Sequence, residues 1–374
     1  MTLEKKYWGG DFGPAPVVVG TAAFNGLGFN AHQSWAVWRA DGSALTQSPF
    51  RLLNGEQATM ALIRSLPPTE YGVDRLWRIL ARVLKEIEPQ LEAIPGTPRV
   101  GMWLAVSHWL AEVNDPWFGR VGVGLAREAT RWLAAHGGSV AHLLPMGHAG
   151  LVDAVRAASE ALKAEAIDVA IVGGVDSYAD PLVFDILEEE EAIFDQRRTD
   201  GFIPGEGAAL ALLMDEREAR SLGRRPTVTI DAIAATDEPA TYWSDVPNLG
   251  HGLTEVMRTC TARLKHDHRT LDWIFADLTN ETYRVREFLV ALPRAIAPGG
   301  LDTAGATYQE IASPDLVTEF IPDGFGDLGA ATMPTALALV SDAFLRGDPD
   351  AANCLIVGSS IAERRGAMLV RRLR

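Results

Sequence analysis

The sequence predicts an α/β fold in which helices cover both faces of a sheet. Short apolar runs rich in β-branched residues, such as 167–172, alternate with longer amphipathic stretches, such as 149–162. The apolar runs are continuous rather than alternating, which is typical of strands buried on both faces. The same order begins again after a polar stretch at 217–225. We therefore expect two similar α/β halves packed together, residues 1–225 and 226–374.

Each predicted element follows from one of these two patterns. Continuous apolar runs predict strands, and apolar residues spaced three or four apart predict helices. The predicted strands are 17–19, 99–106, 140–144, 167–172, 208–214, 227–234, 271–278, 354–357 and 367–373. The predicted helices are 125–135, 149–162, 253–264, 283–296 and 331–344.

Composition and charge exclude several classes of function. The formal net charge of −15 makes the chain a poor ligand for nucleic acid backbones. Two cysteines form no disulfide framework and fit a reducing compartment, so we expect a cytoplasmic location. Residues 1–13 lack the pattern of a signal peptide, and the sequence contains no apolar run of membrane-spanning length, so we expect no membrane association.

The most specific segment is 194–208, which reads FDQRRTDGFIPGEGA. It is a glycine-rich turn that enters an apolar strand, and it holds Glu206 between Gly205 and Gly207. Glycines allow positive φ and close approach of the backbone. We expect the Glu206 carboxylate to accept hydrogen bonds from backbone or arginine donors, in a structural turn or in a binding site.

This segment resembles the "FD..RDGF..GEGA" signature of β-ketoacyl synthases. Other pieces resemble the same family in order and spacing, namely 17–28 (VVVGTAAFNGLG), 34–35 with 49–51, 168–177 (DVAIVGGVDS) and the final strand with its arginine tail. The resemblance implies a thiolase-like fold of two pseudo-duplicated βαβαβαββ halves in a five-layer α-β-α-β-α sandwich. It also implies a homodimer, with the strand near 140–144 at its edge.

The family requires a cysteine on a tight turn that leads into a helix, where the thiolate accepts an acyl group. The matching turn is 145–151 (PMGHAGL), and the alignment places Gly147 at the cysteine position. A shift of one residue would place Met146 or His148 there instead. Cys260 lies in a helical apolar pattern and Cys354 opens a late strand, so both are expected in the core.

The family also requires two histidines in its second half, yet all eight histidines of this chain lie at or before position 268. The strand that should precede the first histidine continues into 279–282 (TNET), which contains Asn280. Gly326 or Asp327 stands where the second is expected, and 361–366 (IAERRG) replaces a glycine-rich gating loop. Because every position that condensation needs departs together, we do not expect the chain to condense acyl groups.

The remaining polar groups define a candidate site. His148 is the candidate acid or base, and Gly147, Asn280, Gly326 and Asp327 mark the degenerate positions. The residues expected to line the site are Met146, Gly147, His148, Glu206, Asn280 and Asp327. The alternative for His148 is a packed or capping side chain.

No metal or cofactor site is expected. The HDH triplet at 266–268 is interpreted as a solvated turn. The sequence contains no GxSxG elbow, P-loop or GxGxxG signature in a suitable context.

Two functions remain open. The first is a non-catalytic ketosynthase-like accessory, adaptor or partner subunit, that is, a pseudoenzyme. Its partner would be a catalytic ketosynthase, as for chain-length factors, or a secretion effector, as for degenerate thiolase-like proteins associated with type VI secretion effector clusters. The stretch 277–284 (DLTNETYR) is more similar to the latter group. The second is an acyl-thioester-binding acyltransferase or hydrolase that uses no cysteine. An open pocket at 146–150 would favour the enzyme, and a filled one would favour the scaffold.

Overall fold

The computed structural model of the chain describes residues 8–10, 15–111, 116–242, 244, 246–296, 311–347 and 350–373. The strands are β1 Trp8–Gly10, β2 Pro16–Asn25, β3 Thr46–Arg51, β4 Gln57–Met60, β5 Val100–Ala105, β6 Ala141–Leu144, β7 Val169–Ser177, β8 Glu206–Asp215, β9 Val228–Asp237, β10 Leu271–Ala276, β11 Ala312–Phe320, β12 Asn353–Ser359 and β13 Arg364–Arg372. The helices are α1 Ala31–Arg39, α2 Gly72–Glu92, α3 Pro116–Ala134, α4 Gly150–Lys163, α5 Pro181–Glu189, α6 Glu216–Ser221, α7 His251–His266, α8 Thr282–Ile296, α9 Pro322–Phe325 and α10 Thr332–Arg346. Short 3₁₀ turns span His108–Ala111, Gly147–Ala149 and Gly329–Ala331.

The two halves of the chain build their sheets in the same order. From the outer edge inward, the first half is ordered β6-β5-β7-β8-β2 and the second β11-β10-β12-β13-β9. If only these five strands of each half are numbered along the chain, both orders read third, second, fourth, fifth, first. The fifth strand pairs antiparallel with both neighbours, and the three outer strands are parallel. The division expected at 225/226 falls between α6 and β9.

The sheets meet where β2 pairs with β9 through Val17–Thr229 and Val18–Val228. Helices α4 and α10 lie between the two halves, because α4 packs on β5, β7, β9 and β13 and α10 packs on β2, β8 and β12. Helices α2 and α3 cover the outer face of the first sheet, and α7 and α8 cover that of the second. The result is the five-layer α-β-α-β-α arrangement, so the predicted thiolase-like fold class is confirmed.

The central layer is the most thoroughly buried part of the chain. Leu151 and Val155 of α4 and Leu337 and Val340 of α10 are almost fully buried in one apolar cluster with strands of both sheets. A helix that is apolar on most of its surface is expected between two layers. This packing fixes the N-termini of α4 and α10, which carry the residues of the candidate site.

Some sequence-based boundaries were wrong. The first strand was predicted to span only 17–19, yet β2 continues to Asn25 because it pairs with β8 along its whole length. The strand predicted to end before Gly173 runs through both glycines to Ser177. A Cβ on Gly173 would lie 2.1 Å from the carbonyl oxygen of Ala209, so close approach of β8 explains this glycine.

Helix α2 was missed, although its 21 residues bury a continuous apolar face. In the described part of the chain, none of the helices is both long and apolar enough to cross a membrane.

Candidate functional site

The turn between β6 and α4 contains Gly147, the residue that the sequence comparison aligned with the family's nucleophile. Gly147 has φ +62, in the left-handed region that glycine adopts without steric cost. Its N–H donates to the carbonyl oxygen of Val106 at 3.1 Å, which ties the turn to the end of β5. The turn therefore keeps its tight geometry but presents no side chain at this position.

A serine from the second half occupies the space beside Gly147. The Ser360 hydroxyl donates to the carbonyl oxygen of Met146 at 2.6 Å and accepts from the N–H of Ala149 at 3.1 Å. A Cβ added to Gly147 would lie 3.3 Å from the Ser360 Oγ. Ser360 is fully buried, and it uses the first free N–H of the helix start that a nucleophile or an oxyanion would otherwise use.

His148 and Asp327 form a buried pair across the two halves. Their Nε2 and Oδ1 atoms lie 2.6 Å apart, and the residues are 2% and 1% exposed. Asp327 Oδ1 also accepts from the N–H of Gly329 at 2.7 Å. Burial alone would raise the pKa of Asp327, but His148, then Arg284 and the Gly329 N–H, outweigh it and hold the pKa at about 2.

Arg284, in the first turn of α8, completes this cluster. Its guanidinium lies 2.8 Å from Glu281 Oε2, 3.2 Å from Asp277 Oδ2 and 3.8 Å from Asp327 Oδ2. Its Nη2 also lies 3.4 Å from His148 Nε2. Since arginine only donates, Nε2 cannot donate to Asp327 and accept from Arg284 at once. The much shorter distance to Asp327 indicates that Nε2 carries the hydrogen and donates it to Asp327.

Three further ionisable groups face the cluster. Burial raises the pKa of Asp176 to about 6, although Asp176 accepts from the N–H groups of Ala330 and Ser177, both at 2.9 Å. Burial also raises the pKa of Tyr178. Burial, and then the nearby His148, lower the pKa of His108 to about 4. The site is therefore deeply buried and contains more carboxyl groups than cations.

The loop between β12 and β13 takes the place of the family's gating loop, and buried groups hold it. Asp277 accepts from the Ser359 N–H at 2.6 Å, and Glu287 accepts from the Ser359 hydroxyl at 2.6 Å. Arg365 pairs with Glu287 at 2.7 Å and donates to the carbonyl oxygens of Ser360 and Ala362. Several buried charged contacts therefore oppose movement of this loop.

The structure brings together only some of the residues that the sequence grouped. Gly147, His148 and Asp327 meet, whereas Asn280 lies on the exposed side of its turn. Its neighbours Asp277 and Glu281 point inward instead and bind Arg284. Placing Asn280 in the site was therefore wrong, because the turn after β10 directs the flanking carboxylates inward.

Glu206, Gly326 and Met146 have other roles. Glu206 is fully buried and accepts from Arg75 at 2.5 and 2.7 Å and from the Ile63 N–H at 2.7 Å, so its carboxylate acts within the fold. Gly326 has φ +66, and a Cβ there would meet Ala61 at 2.9 Å. Met146 is 38% exposed and lines an open cleft of about 690 Å³ instead of the buried cluster.

Little free space remains beside the cluster. A cavity of about 30 Å³ borders Asp176 and Trp109, and another of about 10 Å³ borders Glu281 and Trp109. A cavity of this size holds one or two water molecules rather than an acyl chain. On its buried side the turn is thus filled, by Ser360 beside Gly147 and by His148, whereas Met146 faces the open cleft.

Sequence reasoning missed several residues of the site, namely Asp176, Asp277, Arg284, Glu287, Ser360 and Arg365. The spacing of Asp277, Glu281 and Arg284 around a helix start was the available signal for an ion-pair cluster. Within the residues that the structure describes, no group of three or more His, Cys, Asp or Glu side chains could hold a metal ion.

Comparison with known proteins supports the resemblance. Residues 149–219 match the model of the beta-ketoacyl synthase N-terminal domain. None of the curated protein sequences gives a significant match to the chain.

Solved structures extend the likeness in fold to nearly the whole chain. In the AntDE:AntF structure, a type II polyketide synthase acyl-carrier protein in complex with its ketosynthase, a chain superposes with a TM-score of 0.74 at 14% identity, covering 96% of this chain and 100% of that one. The ishigamide ketosynthase/chain length factor gives a TM-score of 0.72 at 15% identity, covering 96% and 100%. The ketosynthase of Xenorhabdus doucetiae in complex with its chain length factor gives 0.71 at 13%, covering 96% and 98%. The fold is that of ketosynthases, and the segment 149–219 carries their sequence signature.

Proposed function

We propose that this chain is a non-condensing ketosynthase-like protein that acts by binding a protein partner. The observation that carries the proposal is the buried side of the turn, at Gly147 and His148, which side chains fill. Gly147 offers no nucleophile, and Ser360 occupies the adjacent space and takes the Ala149 N–H. The groups that remain are engaged with one another.

The pair of His148 and Asp327 does not favour a different enzyme. A general base needs access to a substrate proton at hydrogen-bond distance. Both side chains are buried, and Asp327 is already bound by His148 and by the Gly329 N–H. An acyl-thioester acyltransferase or hydrolase would first have to open this cluster.

The partner that fits best is a catalytic ketosynthase. Two of the superposed structures contain a ketosynthase together with a chain length factor. A chain with this fold and a filled site is suited to such a role, in which it would shape or stabilise the complex without reacting. The second proposed partner is an effector of type VI secretion, for which the sequence 277–284 is the support. We place either function in the cytoplasm, because both cysteines are free and buried, as in proteins of a reducing compartment.

We also propose a homodimer when no other partner is present. Strand β6 is the outer strand of its sheet, and an apolar groove of about 1,050 Å³ runs beside it along α3. Val123, which lines that groove, is 72% exposed, and Val140 next to β6 is 52% exposed. Apolar residues exposed along an unpaired strand favour pairing with a second chain.

Affinity purification of the tagged chain from its native cells, followed by mass spectrometry, tests the proposal. We expect a ketosynthase or a secretion effector to co-purify in stoichiometric amount. The matched variant Val123→Asp changes the groove and should lose a partner that binds there, while Leu345→Asp, at an exposed position on α10, should retain it. Recovery of the chain alone, with thioester turnover by the purified protein, would overturn the proposal.

A further inference from the structure

The buried cluster contains more acidic groups than its cations can balance. It contains four carboxyl groups, those of Asp176, Asp277, Glu281 and Asp327. Among the described residues, Arg284 is the one permanently charged cation of the cluster. Even a protonated His148 would leave the fully ionised cluster with an excess of two negative charges. Such an excess is costly in a deeply buried site, so the cluster favours keeping an additional proton.

Asp176 is the carboxyl group best placed to hold that proton. Its residue is 5% exposed, and its oxygens accept from two backbone N–H groups, on Ser177 and Ala330. Arg284, by contrast, directly contacts the other three carboxyl groups. The two N–H groups favour the ionised form of Asp176, but burial, together with the negative charge of Asp327, outweighs them.

The same residue links the two halves of the chain. Asp176 lies on β7 in the first half, and Ala330 lies in the 3₁₀ turn that leads into α10 in the second half. Gly329 of that turn fits closely, since a Cβ on it would lie 2.2 Å from Asp176 Oδ2. The turn also carries Asp327, which binds His148. A change in the charge of Asp176 therefore acts on the contact that closes the site.

We propose that Asp176 and the 327–331 turn form a proton-controlled latch between the two halves, closed when the cluster holds an extra proton and loosened when that proton leaves. The latch acts on the same closed site but needs neither a partner nor a substrate, so its test is separate from that of the proposed function.

The direction of the pH effect follows from the groups that surround Asp176. Its pKa of about 6 lies above the usual aspartate value of 3.8, so its contribution to closure is complete below about pH 4 and is lost as pH rises through about 6. His108 acts in the opposite direction. Its pKa is lowered to about 4, so neutral His108 stabilises the closed state above the usual histidine pKa, and this contribution is lost as pH falls through about 4. The titratable and charged groups that face Asp176 or its neighbours are His108, His148, Tyr178, Asp277, Glu281, Arg284 and Asp327, with the Arg75–Glu206 pair behind Ser177.

Hydrogen exchange of the segments 146–150 and 327–331, corrected for the intrinsic effect of pH, measures opening of the latch. We expect the ratio of the opening constants of wild type and Asp176→Asn to rise by up to about a hundredfold between pH 4 and pH 7. The control variant Glu86→Gln removes a partly buried carboxyl group on α2 whose pKa is also raised, and it should leave the opening constant and its pH dependence in these segments unchanged.

A second variant covers the case in which Asp176→Asn fails to fold. His108→Gln removes the opposing imidazole, and we expect its opening constant to rise from pH 4 to pH 7. A flat profile in His108→Gln, or a ratio for Asp176→Asn that does not change with pH, would overturn the proposal. The proposal would also be overturned if Glu86→Gln were the one variant that altered the pH dependence of the opening constant.

Discussion

The Nε2 of His148 donates to Oδ1 of Asp327 at 2.6 Å, and this buried contact joins the turn before α4 to the turn before α10. A residue that the sequence marked as a candidate base is thus part of the contact that closes the site. The stability of the fold should depend on it.

His148→Ala is expected to lower the free energy of unfolding by about 3–5 kcal/mol, because it leaves the Asp327 carboxylate buried without its partner. The control His32→Ala breaks a histidine–aspartate pair with Asp342 in which the His32 side chain is 52% exposed, and it should cost no more than about 1 kcal/mol. Chemical denaturation followed by circular dichroism measures both. Equal effects of the two variants would contradict a structural role for His148.

Arg75→Ala is expected to destabilise the protein by about 3–5 kcal/mol, since Glu206 would remain fully buried without its cation. Arg78→Ala is the matched control on the same helix, because the Arg78 side chain pairs with Glu70 and is 55% exposed. Its loss should cost no more than about 1 kcal/mol. Urea denaturation of the two variants compares them directly. A small effect at Arg75 would mean that Glu206 is available for another task.

The sequence predicted the layers of the fold, but it did not predict most of the polar residues of the site, and the reason is physical. Continuous apolar strands and helical periodicity are local signals, and they were enough to predict two similar halves and the positions of α4, α7 and α10. The helix α2 was missed although its apolar residues recur at helical spacing, so the local signal for it was present in the sequence.

The contacts of the site are not local. Ser360 meets Gly147 across more than 200 residues, and Asp327 meets His148 across 179. The sequence predicted which catalytic groups are missing, but it could not show which side chains lie at those positions. The geometry of the turn after β10 directs Asp277 and Glu281 inward and leaves Asn280 exposed.

Glu86→Gln is expected to make the protein more stable than wild type above pH 7 and equally stable below about pH 4.5. Burial, which Arg82 only partly offsets, raises the pKa of Glu86 to about 7, so wild type loses stability as pH rises through that value. The group is only partly buried, so the gain should be limited to about 1–2 kcal/mol. Thermal denaturation between pH 4 and pH 8.5 measures the difference. A constant difference across this range would contradict the assignment.

Val123→Asp is expected to convert a homodimer to a monomer, because it places a charge in the apolar groove beside β6. Leu345→Asp changes an apolar residue of similar exposure on α10 and should leave the dimer intact. Light scattering at micromolar concentration determines the mass of each variant. A wild-type protein that is already a monomer, or a dimer that both variants retain, would contradict the proposed interface.

Incubation of the purified protein with malonyl and acyl thioesters tests the central claim most directly. Intact mass detects acyl transfer to the protein, and release of CO₂ detects decarboxylation. We predict an unchanged mass and no CO₂ above the rate without protein, because Gly147 provides no nucleophile and His148 is bound to Asp327. A stable acyl adduct, or turnover that His148→Ala abolishes, would contradict a non-condensing, non-catalytic role.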